Sequence, residues 1–123
     1  LGDSGSLLLG FIIAFILIFI ARYNQIHPIL LAWSITIFVY EFLSINLIRL
    51  INKKNIFNAG LDHLHHILFK KNKSLFLTNF SITILNIIFF IVGYLSFIFI
   101  NPLISLILFI VFFIIFFIIR LKF

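Results

Sequence analysis

Four long apolar runs dominate this sequence and constrain its fold more than any other feature. They cover about residues 6–23, 28–50, 75–100 and 103–119. Crossing the hydrocarbon of a bilayer takes about 20 apolar residues, with a range of roughly 17–25, and the runs match that length. They are rich in Ile and Phe, residues that in water would favour strands. Lipid offers the backbone no hydrogen-bonding partner, so a long uninterrupted run satisfies its own amides as a helix. None of the runs alternates with the period of two that a barrel strand needs. The composition agrees, with 64% hydrophobic and 10% charged residues. Ordinary soluble domains carry roughly 45–50% and about 25%. The expected fold is therefore all-α: a polytopic membrane protein with four transmembrane helices forming a single bundle over residues 1–123. A water-soluble domain, a disordered chain and a coiled coil are excluded. The chain has no cysteine, which removes disulfide scaffolds, iron–sulfur clusters and cysteine nucleophiles.

The connections between the runs are consistent with this topology. Asn24-Gln25-Ile26-His27-Pro28 reads as a short turn, with Pro28 suited to a first helical position. Asn101-Pro102 reads as a tight hairpin. The only long polar connection is residues 51–74. Of the nine Lys and Arg residues, Arg49, Lys53, Lys54, Lys70, Lys71 and Lys73 belong to that connection or its edge, and Arg120 and Lys122 follow the last run. Only Arg22 falls on the opposite side. The positive-inside rule then puts the 51–74 loop and the C-terminus in the cytoplasm. With four spans, the opening Gly2-Asp3-Ser4 segment lies on the same face. Topology thus accounts for the net charge of +6, and no nucleic-acid partner is expected. The chain opens on Leu1 and contains no Met, so it is expected to be a piece of a longer protein. No charged n-region precedes the first run, so that run is not expected to be a signal peptide.

Three groups of residues stand out for their chemistry. Gly2-Asp3-Ser4-Gly5-Ser6 leads directly into the first span. Its ordinary structural reading is an N-cap. Its functional reading is a Mg²⁺-associated carboxylate, Asp3, among small neighbours that let a diphosphate approach the backbone. The second group is Asp62-His63-Leu64-His65-His66 in the polar loop. On a helix His63 and His66 would share a face and His65 would not. The spacing is poor for zinc and better suited to phosphate binding or proton handling. The ordinary reading is a solvated basic loop. The third group is Glu41, Asn46 and Arg49 within the second run. Glu41 is expected to face the interior or a hydrated cleft beside a cation. Arg49 is close enough to the end of the run to snorkel. Trp33 and Tyr40 read as packing or interfacial-belt residues. Asn86 is expected to bond to a neighbouring helix.

In order, Leu1-Gly2-Asp3-Ser4-Gly5-Ser6-Leu7 with Leu9-Gly10-Phe11, followed by Asn55-Ile56-Phe57-Asn58-Ala59-Gly60-Leu61-Asp62-His63-Leu64-His65-His66, resemble two motifs of one family. These are the Gly-Asp-x-Gly-Ser helix start and the cytoplasmic His-x-His-His loop of the polyprenyl-phosphate N-acetylhexosamine-1-phosphate transferases. The branch that charges undecaprenyl phosphate for cell-surface polysaccharides, such as O-antigen or teichoic acid, is the nearest in pattern. The phospho-muramoyl-pentapeptide branch is related but has a different histidine motif. The resemblance covers the chain and corresponds to the C-terminal third or so of a family member. It implies an integral protein of the bacterial inner membrane. It implies transfer of a sugar-1-phosphate from a UDP-N-acetylhexosamine to a polyprenyl phosphate with Mg²⁺, or Mn²⁺ in its place. Carried over by position, Asp3 would be the metal-associated carboxylate, and His63, His65 and His66 would act on the nucleotide-sugar. Gly2, Ser4, Gly5, Arg49, Lys53 and Lys54 would help to bind the two anionic substrates. The family's Asp-Arg pair is replaced here by Gly60 and Leu61. The family's paired aspartates belong to an N-terminal part that would have to come from the rest of the same protein. The isolated piece is therefore expected to be inactive. Two other readings stay open: a non-catalytic membrane subunit whose basic loop binds lipid head groups, and a degenerate family member.

Overall fold

The computed structural model describes residues 3–53 and 64–122; within these, the side chains of residues 3, 4, 6 and 7 are not described. Six helices follow one another: α1 (Asp3–Tyr23), α2 (Pro28–Ser34), α3 (Thr36–Ile51), α4 (Leu64–Asn72), α5 (Leu75–Phe99) and α6 (Pro102–Leu121). Among the described residues there is no strand, so the all-α expectation holds.

The caps explain where the helices begin. Pro28 opens α2 with the His27 Nδ1 accepting the Ile29 N–H at 3.3 Å. Asn101 Oδ1 accepts the Leu103 N–H at 2.9 Å, and Pro102 takes the first position of α6, where a missing amide costs nothing. Ser74 caps α5 from its hydroxyl. The turns before α2 and α5 use left-handed residues, Gln25 at φ 51° and Lys73 at φ 53°.

Two helices, α5 and α6, are long and apolar enough to cross a membrane. A third span exists if α2 and α3 are taken together. Four straight spans are not what the described residues form. The expected second span, 28–50, is broken at Ile35, and its halves meet at 78°. No Pro or Gly sits at the break. Instead, Ser34 and Thr36 turn their hydroxyls back onto the preceding turn: Ser34 Oγ donates to the Leu31 carbonyl at 2.7 Å and Thr36 Oγ1 to the Trp33 carbonyl at 2.7 Å. Such back-bonding competes with the helical ladder and bends helices. Helix α1 runs for 21 residues, and its apolar stretch is described over Leu8–Tyr23. The polar 51–74 connection is not wholly loop, because it contains α4.

The bent α2–α3 pair is the centre of the molecule. Among the described residues, the buried apolar side chains Ile29, Trp33, Ile37, Tyr40 and Ile45 all belong to it. Their spacing puts most of them on one continuous stripe despite the bend. This stripe packs on the α5–α6 hairpin, α4 lies back along α5, and α1 leans on α2. The large side chains of α5 and α6 mostly face outward, as expected where lipid rather than protein is the neighbour.

Without a hydrophobic drive between helices in lipid, close packing and interhelical hydrogen bonds hold such a bundle. Trp33 shows both. Its Nε1–H donates to Ser105 Oγ at 3.0 Å, while its ring meets Phe109 edge-on at a centroid distance of 5.0 Å. The ring lies directly over Gly93, where an added Cβ would come within 2.1 Å of it. Asn86, as expected, bridges helices. Its Oδ1 accepts the Ile37 N–H at 3.1 Å and its Nδ2 donates to the Ser34 carbonyl at 2.7 Å. One side chain thus serves a backbone donor and a backbone acceptor on either side of the break. Trp33 and Tyr40 are packing residues rather than belt residues, since both are fully buried.

Candidate functional site

A charged site lies where α3, α4 and α6 meet. The Tyr40 hydroxyl reaches across to the Phe109 carbonyl, and its ring packs among Phe89, Phe109, Phe113 and Phe116. This aromatic packing locks α3 against α6. The next residue along α3, Glu41, is thereby carried towards the last turn of α6. There Arg120 Nη2 stands 3.1 Å from Glu41 Oε1, with side-chain exposures of 5% and 14%. The same oxygen accepts the backbone N–H of Leu64 at the start of α4. One carboxylate therefore joins three helices that are far apart in sequence. The negative charge at the start of α4 also suits the positive end of that helix's dipole.

Beside this junction is a small cleft of about 260 Å³, lined by Ile37, Phe38, Glu41, Phe42, Leu64, His65 and Ile82. Its walls are apolar, and Glu41 and His65 supply its titratable groups. The rings of His65 and His66 are adjacent, with centroids 4.1 Å apart. Lys53, Lys70, Lys71 and Lys73 are exposed. The last three flank the turn between α4 and α5, at the end of the α5–α6 hairpin where Arg120 also lies. Positive charge therefore gathers at the same end as the Glu41 junction.

The residues singled out in the sequence fall as follows. Glu41 has the buried, cation-paired setting expected of it. Arg49 is buried. Its exposure is 8%, so it lies inside the fold at the end of α3. His65 reaches the cleft and His66 is its neighbour. Gly5 lies in the first turns of α1. Gly2, Lys54 and His63 lie outside the described residues, as do the side chains of Asp3 and Ser4. Among the described residues no three His, Cys, Asp or Glu side chains come together to hold a metal ion. Glu41 Oε1 is engaged by Arg120 and by the Leu64 N–H.

Arg120 is the residue that sequence reading missed. It counted there only as a topological charge. The available signal was that a buried Glu needs a cation, and the candidates were the few basic residues at span ends. Comparison of the chain with family models, curated proteins and solved structures finds no match.

Proposed function

We propose that the chain is part of a membrane-embedded phosphoglycosyl transferase. In this reading an oxygen of a polyprenyl phosphate attacks the β-phosphorus of a UDP-N-acetylhexosamine. The new P–O bond forms as the bond to the UMP leaving group breaks. Such chemistry asks a protein mainly for positioning and charge neutralisation. The observation that carries the reading is the junction at Glu41. There the histidine-bearing helix α4 is held against a buried carboxylate–guanidinium pair at the basic end of a lipid-facing bundle. The motif resemblance supplies the reaction class. His65 and His66 contact the phosphates or the sugar, Arg49 and the exposed lysines hold the anionic substrates near, and Asp3 is the carboxylate associated with Mg²⁺. The basic end faces the cytoplasm, where nucleotide-sugars are made.

The test uses membranes from cells expressing the gene that carries this coding segment, supplied with undecaprenyl phosphate, Mg²⁺ and labelled UDP-N-acetylglucosamine. Labelled lipid and free UMP are the readouts. The expected result is transfer that His65→Ala and Asp3→Ala abolish without loss of membrane insertion. Transfer that survives both substitutions refutes the reading, and so does the absence of transfer from every N-acetylated UDP-sugar tried.

The exposure of Lys53, Lys70, Lys71 and Lys73 favours a second reading, a non-catalytic membrane subunit that binds anionic lipid. It predicts that neutralising those lysines matters and that His65 is dispensable.

A further inference from the structure

We infer that Glu41 is a positioning residue that seats the histidine helix. The first-turn amides of a helix have no partner within it. Here Glu41, more than twenty residues away on α3, accepts the Leu64 N–H at the start of α4. No residue of α4 itself is fully buried. A helix of nine residues with so little buried surface is too short to hold its place by propensity alone. The contact with Glu41 fixes its start, and its packing along α5 fixes its direction. Arg120 holds the same carboxylate oxygen that faces that amide. The Glu41 side chain therefore sets where His65 and His66, one and two residues beyond Leu64, can stand. The arrangement also joins the last turn of α6 to α4, so a shift of α6 is felt at the histidines.

The role given to the histidines rests on the transferase reading, whereas the seating of α4 does not. The experiment separates the two. The full chain in lipid nanodiscs is followed by hydrogen exchange of the α4 amides and by the carbethoxylation rates of His65 and His66. Emission of Trp33, the only tryptophan, reports the intact interior. Glu41→Ala should speed α4 exchange by about tenfold or more, the loss expected of a charge-assisted bond. Glu41→Gln, which keeps an acceptor oxygen, should stay within about threefold of wild type. Leu64→Pro deletes the donor N–H and, compared with Leu64→Ala to allow for the lost side chain, should loosen α4 while leaving Trp33 emission unchanged. This third variant decides the matter if Glu41→Ala does not insert. Unchanged α4 exchange in Glu41→Ala or in Leu64→Pro overturns the inference. Equal acceleration in Glu41→Gln and Glu41→Ala overturns it as well. In membranes that show transfer, Glu41→Ala should lower the rate and Glu41→Gln should largely restore it. If wild type shows no transfer, the transferase reading falls and the exchange data still decide the seating of α4.

Discussion

Two junctions along the α2–α3 pair treat their polar atoms in opposite ways. At the Ile35 break every partner is neutral. Asn86 serves a backbone donor and a backbone acceptor, and the Ser34 and Thr36 hydroxyls bond to the turn before them. Nearby, Trp33, Ser105 and Gly93 pack without a charge among them. A few residues further on, at Glu41, the junction is charged: the carboxylate meets the Arg120 guanidinium of α6 and the backbone N–H at the start of α4. The neutral junction gives the bundle its shape. The charged junction ties a marginal, histidine-bearing helix to that shape. Neutral groups satisfied close by are cheap to bury, whereas a charge at membrane depth persists where it has a task and a partner.

This contrast breaks most severely at the neutral junction. Trp33→Ala removes the largest buried side chain and leaves Ser105 without its donor. It should cost about 3–5 kcal/mol, as seen when large aromatics are removed from cores. Gly93→Ala should cost about 1–3 kcal/mol or more by overpacking, because Trp33 occupies the space a Cβ needs. Both are read as thermal or denaturant stability in detergent, and Gly93→Ala should also shift the tryptophan emission. If Gly93→Ala were neutral, the close approach of Trp33 would be wrong.

Asn86→Ala leaves the Ile37 N–H and the Ser34 carbonyl without their partner. Its expected cost is about 1–3 kcal/mol, by the same assay, and Asn86→Leu should be no better. Removing either member of the charged pair tests the other junction. A double-mutant cycle on Glu41 and Arg120 should return a coupling of about 1–2 kcal/mol, between the values for exposed and for fully buried pairs. A coupling near zero would erase the difference between the two junctions. Neutralising Lys70, Lys71 and Lys73 should leave stability within about 0.5 kcal/mol, since all are exposed. The same change should weaken attachment to anionic vesicles by about 1 kcal/mol per charge.

Much of this was readable in the residues themselves. The boundaries of α5 and α6 follow from Ser74, Asn101 and Pro102, and the run lengths place both helices within a residue or two. Asn86 announced an interhelical bond because an amide in a long apolar run needs partners that lipid cannot give. Glu41 announced a cation for the same reason. The break at Ile35 was not read, because the residues that make it, Ser34 and Thr36, are tolerated in straight helices too. Only their back-bonding together with Asn86 tips the balance. Arg120 was not matched to Glu41, because 79 residues separate them and sequence spacing carries no trace of that contact. The histidine helix was read as loop. Its start lies against an acceptor supplied by α3, a contact that sequence spacing does not reveal. Whether Asp3 and His63 join this site lies outside the described residues.

The central claim is that α4, and with it His65, is seated at one place by the Glu41 junction. The chain has no cysteine, so spin labels can be placed at two chosen positions without background. Phe69 on α4 and Ile110 on α6, ten residues before Arg120, are both exposed and can carry labels. Pulsed electron–electron distance measurement in nanodiscs should give one narrow distribution for the otherwise wild-type chain and a broad one when Glu41→Ala is added. A broad distribution with Glu41 in place, or an unchanged narrow one without it, would contradict the account.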